Sequence, residues 1–344
     1  MSKDLTMNQL GLCFGCLLLM FSSYSQIGGK HTYQFLTLST SPHQAALGGE
    51  NITLNGSDPI FGLFNPATIN PEMGGKLSMN YRPYFSGINM GTAAYVFTWD
   101  RSLKAGHLGV QYIDYGSFDG RDELGNATAT FSGSEIAISG GYAINIPRTD
   151  WYVGTQVKLI SSTLEQYQSF GFAIDLGVYY IIPLEEIEVA LVVKNLGTQI
   201  TTYSGVKESL PLEVSLGVSQ QLKYLPLRWH ITLQNLQNWN LAFERAELNV
   251  SLDQQNTSKP SFLKETLQHL ILAAELFPDR VFSVRLGYNF RRGEELRILE
   301  QRNFSGFSAG LGITLRRFRF QYSHARYTTA GNASVFGVTI DLSP

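Results

Sequence analysis

From residue 76 onward the chain alternates apolar with small or polar residues one by one, over and over, to its last strand-like segment. A period of two belongs to extended backbone, whose successive side chains point to opposite faces. In residues 135–145, EIAISGGYAIN, one face carries Ile136, Ile138, Tyr142 and Ile144, and the other Glu135, Ala137, Ser139, Gly141 and Asn145. In residues 281–290, Phe282, Val284, Leu286, Tyr288 and Phe290 oppose Ser283, Arg285, Gly287 and Asn289. Residues 317–324 set Phe318, Phe320 and Tyr322 against Arg317, Arg319, Gln321 and Ser323. A soluble sandwich shares this period. The difference lies in the faces: one is dense in aromatics and the other is glycine, serine and arginine, as suits lipid outside and a polar or plugged lumen inside.

Such segments are expected near 76–83, 91–99, 106–115, 134–145, 151–162, 169–181, 187–194, 212–222, 227–234, 268–277, 281–290, 305–315, 317–326 and 333–342. That is an even number, as single-chain bacterial barrels require. The links between them alternate. DRSLK, IPRTD, PLEE, KYLP, PD and the join at Arg316 are tight, while 116–133, 195–211, 235–267 and 291–304 are long. Short periplasmic turns against longer external loops give this asymmetry, and it places both chain ends on the periplasmic side. The fold class expected is therefore all-β, a 14-stranded antiparallel transmembrane barrel spanning 76–344. Within 235–267, LAFERAEL and SFLKETLQHL have helical spacing and predict short helices over the rim.

Composition agrees. Only 16% of residues are charged, against 17 tyrosines, 21 phenylalanines and 33 glycines, and a soluble protein carries about 25% charge. The formal net charge of -2 makes no case for a nucleic-acid partner. No segment beyond the first thirty residues has eighteen consecutive apolar residues, so the membrane is crossed by strands in a closed barrel or not at all. Residues 1–25 read as an export signal: Lys3 precedes an apolar run from Leu10 to Phe21, and cleavage is expected after Ser25. Cys13 and Cys16 both lie in that run, so a processed chain has no thiol chemistry.

Residues 26–75 are too long for a leader and include DPIFGLFNPATINPEMGG at 58–75, apolar yet carrying three prolines and no clean period. A fourteen-stranded lumen is too wide for side chains alone to fill, and irregular backbone is permitted in a lumen but not against lipid. The segment is read as an N-terminal hatch, with Asp58, Phe61, Phe64, Asn65, Pro66 and Ala67 among its defining residues. The other reading is an extra strand pair and loop in a soluble domain.

ALGGENITLNGSDPIFGLFNPATI, the strand KLSMNYRPYFSGI and the closing strand VFGVTIDL resemble the PorQ and PorV outer-membrane components of the Bacteroidetes type IX secretion system, within the wider FadL-like barrel family. The resemblance covers essentially all of the chain after the signal, and overall likeness favours the PorQ type. Asn65-Pro66-Ala67 is shared with the wider FadL-like group. The resemblance implies a hatch-bearing barrel with a non-enzymatic role in a cell-surface attachment complex. It also implies a PorZ-like surface protein as partner, with a PorU-like sortase and a PorV-like barrel, joining cargo to lipopolysaccharide.

Other chemistry has thin support. GFSAG at 306–310 matches a nucleophile-elbow pattern, but Ser308 falls mid-strand, whereas that motif needs a strand, a sharp turn and a helix. His31, His43, His107, His230, His269 and His324 form no spaced ligand set, so neither a metal nor a cofactor is expected. Arg285, Arg317 and Arg319 fall on the expected lumen face, where they either pair with the hatch or line an anion-selective channel. The loop 116–133, the 235–267 loop, and Arg291, Arg292, Glu294, Glu295 and Arg297 in the charged stretch 290–304 are candidate partner surfaces. Two functions follow: a docking barrel, with a blocked lumen and ordered loops, or a FadL-like transporter of small hydrophobic molecules, with a continuous apolar path.

Overall fold

The computed structural model describes residues 31–343 except 40, 85–86, 101–103, 122–123, 125, 240–261, 279, 297–304 and 327–331. Fourteen antiparallel strands close into a barrel, each paired with its sequence neighbours and the first with the last. They are β1 (Lys76–Pro83), β2 (Asn89–Asp100), β3 (Lys104–Arg121), β4 (Ala127–Asn145), β5 (Trp151–Leu164), β6 (Tyr167–Ile182) and β7 (Ile187–Thr201). The circuit continues with β8 (Glu213–Gln221), β9 (Leu227–Leu233), β10 (Leu270–Leu276), β11 (Phe282–Asn289), β12 (Phe307–Leu315), β13 (Phe318–Arg326) and β14 (Asn332–Asp341).

The alternation sorts as the sequence predicts. Ile138, Leu286, Phe318 and Phe320 are exposed on the outer wall, while Ser139, Arg285, Gln321 and Ser323 are buried inside. Outward aromatics gather near both rims: Trp99, Trp151 and Phe318 at one end, Tyr81, Tyr112, Phe307 and Phe336 at the other. An apolar band between two aromatic girdles is the outer surface of a barrel embedded in lipid. All links at the rim bearing the β1 start and the β14 end are short, and the 202–212, 234–269 and 290–306 links lie at the opposite rim.

Two expected loops differ. Residues 116–133 are for the most part strand: β3 and β4 run on past the rim as a ribbon, pairing Ser117 with Ser132 and Phe118 with Phe131. The alternation weakens there because neither face of a projecting ribbon is buried. In 195–211, β7 continues to Thr201 across a bulge at Asn195, whose φ is 59°. Asparagine tolerates that left-handed conformation better than most residues.

At the long-link rim, SFLKETLQHL supplies helix α2 (Phe262–Gln268), and residues after β11 form α3 (Phe290–Glu295). LAFERAEL lies outside the described residues, as does the expected export signal.

Residues 31–75 run down the inside of the barrel. Thr32 N–H donates to Ser209 O in the 202–212 link, so the first described residues sit at the long-link rim. Gly75 N–H donates to Val96 O at the other end, and Leu342 N–H donates to Gly75 O. The segment thus spans the lumen from rim to rim, with one short helix, α1 (Pro42–Ala46), and 3-10 turns at Gln34–Thr37, Pro59–Leu63, Pro66–Thr68 and Pro71–Met73.

Candidate functional site

The three prolines of residues 58–75 each open a turn. Asp58 precedes Pro59, Asn65 precedes Pro66 and Asn70 precedes Pro71, and each polar side chain accepts an N–H two residues on: Ile60 (3.2 Å), Ala67 (2.9 Å) and Glu72 (2.8 Å). Ser41 before Pro42 caps α1, its Oγ accepting the Gln44 N–H three residues on. Proline has φ fixed for the first position of a turn and no N–H to satisfy, and an Asx or Ser side chain closes the preceding donor. A chain built of such units satisfies its backbone without forming a helix or strand, as a lumen filler must.

Apolar side chains complete the packing. Phe61, Ile60, Ile69, Met73 and Leu54 form one cluster with wall residues Ala94, Val96 and Ala143, and half-buried Phe64 packs against it. Ala67 joins a second with Ile52, Tyr179 and Val192. Phe61 meets His43 edge-on, with ring centroids 5.2 Å apart.

The wall is cut to receive this chain. A Cβ on Gly177 would fall on Asn65 Oδ1, and one on Gly154 would fall on the Pro66 carbonyl. Gly287 and Gly310 make the same room for residues 46–48, Gly217 for Ile52, and Gly171 for Tyr33. Glycine is the one residue that lets backbone approach a sheet this closely.

Polar wall side chains then tie the hatch along its length. Arg82 Nη1 donates to Ser39 O (2.8 Å), Gln111 Nε2 to Phe35 O (2.7 Å) and Ser308 Oγ to Ala46 O (2.9 Å). His107 Nε2 lies 2.9 Å from Pro59 O. Asp58 Oδ2 accepts from Gln321 (3.1 Å) and Thr339 (3.3 Å). Near the middle, Lys194 Nζ sits 2.8 Å from hatch Glu50 and 2.9 Å from wall Glu213. Burial and the neighbouring Glu213 carboxylate push Glu50 up to about 8: two buried carboxylates sharing one ammonium do not readily both ionise. Burial, with Arg285 nearby, holds hatch His43 below its ordinary value.

The three lumen arginines separate. Arg285 Nε bonds Glu275 Oε1 at 2.7 Å, wall to wall, and Glu275 reaches the hatch through His43 Nε2 at 3.4 Å. Arg319 Nη2 reaches hatch Ser57 Oγ at 3.2 Å. Arg317 corrects the expectation: it lies exposed in the β12–β13 turn, outside the lumen, because the strand alternation stops one residue short of it. In the described part of the charged stretch after β11, three of the side chains are held in ion pairs. Arg291 bonds Glu295 at 2.7 Å one helical turn on, and Lys264 of α2 meets Glu294 at 3.3 Å. Arg292, expected as partner surface, is buried, with Nη2 donating to Gly306 O. Arg297 lies outside the described residues. Ser308 is committed to Ala46 O within a regular strand, so no nucleophile elbow exists there.

Glu50, Arg82, His107, Lys194 and Glu213 were not singled out by sequence reasoning. All but Glu50 lie in strands with buried side chains, and the signal that could have found them is a large polar residue on the small-residue face of a strand.

No protein-family model matches the chain, and no curated protein sequence matches it. Among solved structures, it is similar to the TodX monoaromatic hydrocarbon channel (deltaS2 mutant), with TM-score 0.51 and 13% identity over 88% of this chain and 97% of that one. A FadL homologue of Pseudomonas aeruginosa aligns with TM-score 0.47 and 9% identity, over 88% of this chain and 98% of that one. The likeness to the hydrocarbon channel is one of fold, a closed antiparallel β-barrel.

Proposed function

We propose that this chain is a non-enzymatic docking barrel of the outer membrane, whose plugged wall anchors a surface partner at the long-link rim. The observation that carries this reading is the hatch: it runs from rim to rim, seated on wall glycines and bonded to wall side chains at both ends. A barrel so filled is a rigid platform rather than a conduit. Its long-link rim also holds ordered structure, the β3–β4 ribbon and the paired helices α2 and α3. The likeness to the PorQ and PorV group gives the assembly its proposed identity: the type IX secretion attachment complex, with a PorZ-like surface protein, a PorU-like sortase and a PorV-like barrel beside lipopolysaccharide.

A second reading, transport of small hydrophobic molecules, is favoured by the fold shared with a hydrocarbon channel. A small hollow lined by Leu36, Leu38, Leu63 and Phe64 lies in the lumen on that account.

Affinity purification of a tagged copy from detergent-solubilised outer membranes separates the two. Co-purification of a surface protein and a sortase in fixed proportion is the expected result. A lone barrel carrying bound fatty acid or hydrocarbon sinks the docking reading in favour of transport.

A further inference from the structure

The hatch does not fill the lumen evenly. A cavity of about 430 Å3 remains between hatch residues 67–72 and the wall. Its wall residues mark its place at the short-link rim: Asn145 ends β4, and Tyr152, Glu188 and Arg228 are each second in β5, β7 and β9. The volume falls within the roughly 300–1,000 Å3 of small-molecule sites.

Two hydrogen-bond donors line it without acceptors. Arg228 Nε is buried and has no partner among the described residues. The Tyr179 hydroxyl, on a residue only 1% exposed, makes no hydrogen bond within 3.5 Å, although Glu188 and Asn55 lie beside it. A buried donor left unmade costs about 1–3 kcal/mol, so two lining one hollow are informative. Of the carboxylates that line the cavity, Glu188 Oε2 accepts from Ser219 Oγ at 2.7 Å, and Glu72 is exposed. The Tyr152 ring stands edge-on to Tyr179, centroids 6.0 Å apart, and adds an aromatic side.

We infer that this cavity binds a small molecule bearing a carboxylate or phosphate group, with the Arg228 guanidinium and Tyr179 hydroxyl as its anchors. The guanidinium fork suits either anion, and Tyr152 gives the rest of the molecule an apolar face. The inference holds under either reading of the barrel's function, since the cavity lies on the far side of the hatch from the long-link rim.

The test is calorimetric titration of the detergent-purified, hatch-bearing protein. Inorganic phosphate and glycerol 3-phosphate form one arm, acetate and benzoate the other, with glycerol as the uncharged control. Saturable binding in one arm and none with glycerol is expected, and the responding arm tells phosphate from carboxylate. Arg228→Gln should weaken that binding by about tenfold or more and Tyr179→Phe by a smaller factor, both with the heat-dependent gel migration of a folded barrel. No saturable binding in either arm overturns the inference, as does unchanged affinity in Arg228→Gln. If that variant does not fold, unchanged affinity in Tyr179→Phe overturns it alone.

Discussion

Asn65 Oδ1 occupies the space that a Cβ on Gly177 would need, while accepting the Ala67 N–H that closes its own turn. Gly154 stands in the same relation to Pro66. Hatch and wall are therefore fitted at backbone resolution, and a single methyl tests the fit. Gly177→Ala or Gly154→Ala should destabilise the seated hatch by about 1–3 kcal/mol, the usual cost of overpacking. The barrel's own strand pairing should survive, so heat-modifiable gel migration is retained while residues 58–75 become cleavable by protease. Gly140 is the control: nothing lies within 4 Å of a Cβ there, and Gly140→Ala should leave cleavage unchanged. Equal cleavage of all three variants and the parent would show that the notch does not hold the hatch.

Asp58 does two jobs with two oxygens. Oδ1 caps the Pro59 turn, and Oδ2 accepts from Gln321 and Thr339 across the lumen. Asp58→Ala removes a cap worth about 1 kcal/mol and leaves buried donors unmade at about 1–3 kcal/mol. Asp58→Asn keeps an oxygen for the cap but loses the charge-assisted acceptor. The expected order of hatch release temperature, followed by protease sensitivity on heating, is parent, then Asn, then Ala. An alanine variant as resistant as the parent would remove Asp58 from the account of what seats the hatch.

Glu50 gives the hatch a pH dependence of definite sign. Its value in the seated hatch is raised from 4.5 to about 8, so the seated form binds the proton more tightly than the released form. Its contribution is fully present below about 4.5 and is lost as pH rises through about 8. Protease resistance of the hatch should thus fall from pH 5 to pH 8.5. In Glu50→Gln, which mimics the protonated form, that alkaline fall should flatten. His43 acts in the opposite sense: burial depresses it, so its contribution is present above its ordinary 6.5 and lost as pH falls. A Glu50→Gln variant whose resistance changes between pH 5 and pH 8.5 just as the parent's does would contradict the Glu50 assignment.

The barrel was legible because period two and link length are local properties, written in consecutive residues. Strand count, faces and the alternation of short and long links can all be read that way. The misreadings came where local signals lose their physical cause. Residues 116–133 pair as a ribbon with neither face buried, so Phe118 and Phe131 stand among polar residues without a clean period. Arg317 follows the alternation by one residue into a turn, where facing no longer applies. The hatch was legible as irregular apolar chain with proline, and its Asx-Pro turns follow from the same residues. Its partners were not. Which glycine receives Asn65, or which lysine meets Glu50, depends on strands more than a hundred residues away, and no spacing in the sequence records it.

The β3–β4 ribbon offers the sharpest test of docking at the long-link rim. Its tip stands beyond the wall, with Phe118 and Phe131 stacked across the pair at 5.4 Å and both partly exposed. Aromatic side chains held rigid by strand pairing lose little entropy on burial against a partner, which makes them effective interface anchors. Replacing both with serine removes that anchor while leaving the backbone ladder from Ser117 to Ala127 to form as before. Under the docking proposal, the double variant should reach the membrane and migrate as a folded barrel, yet recover the proposed surface partner at a tenth of the parent's yield or less, roughly the effect of losing one hot-spot contact. A second variant, Lys264→Ala with Glu294→Ala, breaks only the exposed pair between α2 and α3 and should change recovery little, because such pairs contribute about 0–1 kcal/mol. Full recovery with the ribbon variant would move the docking surface elsewhere on the rim.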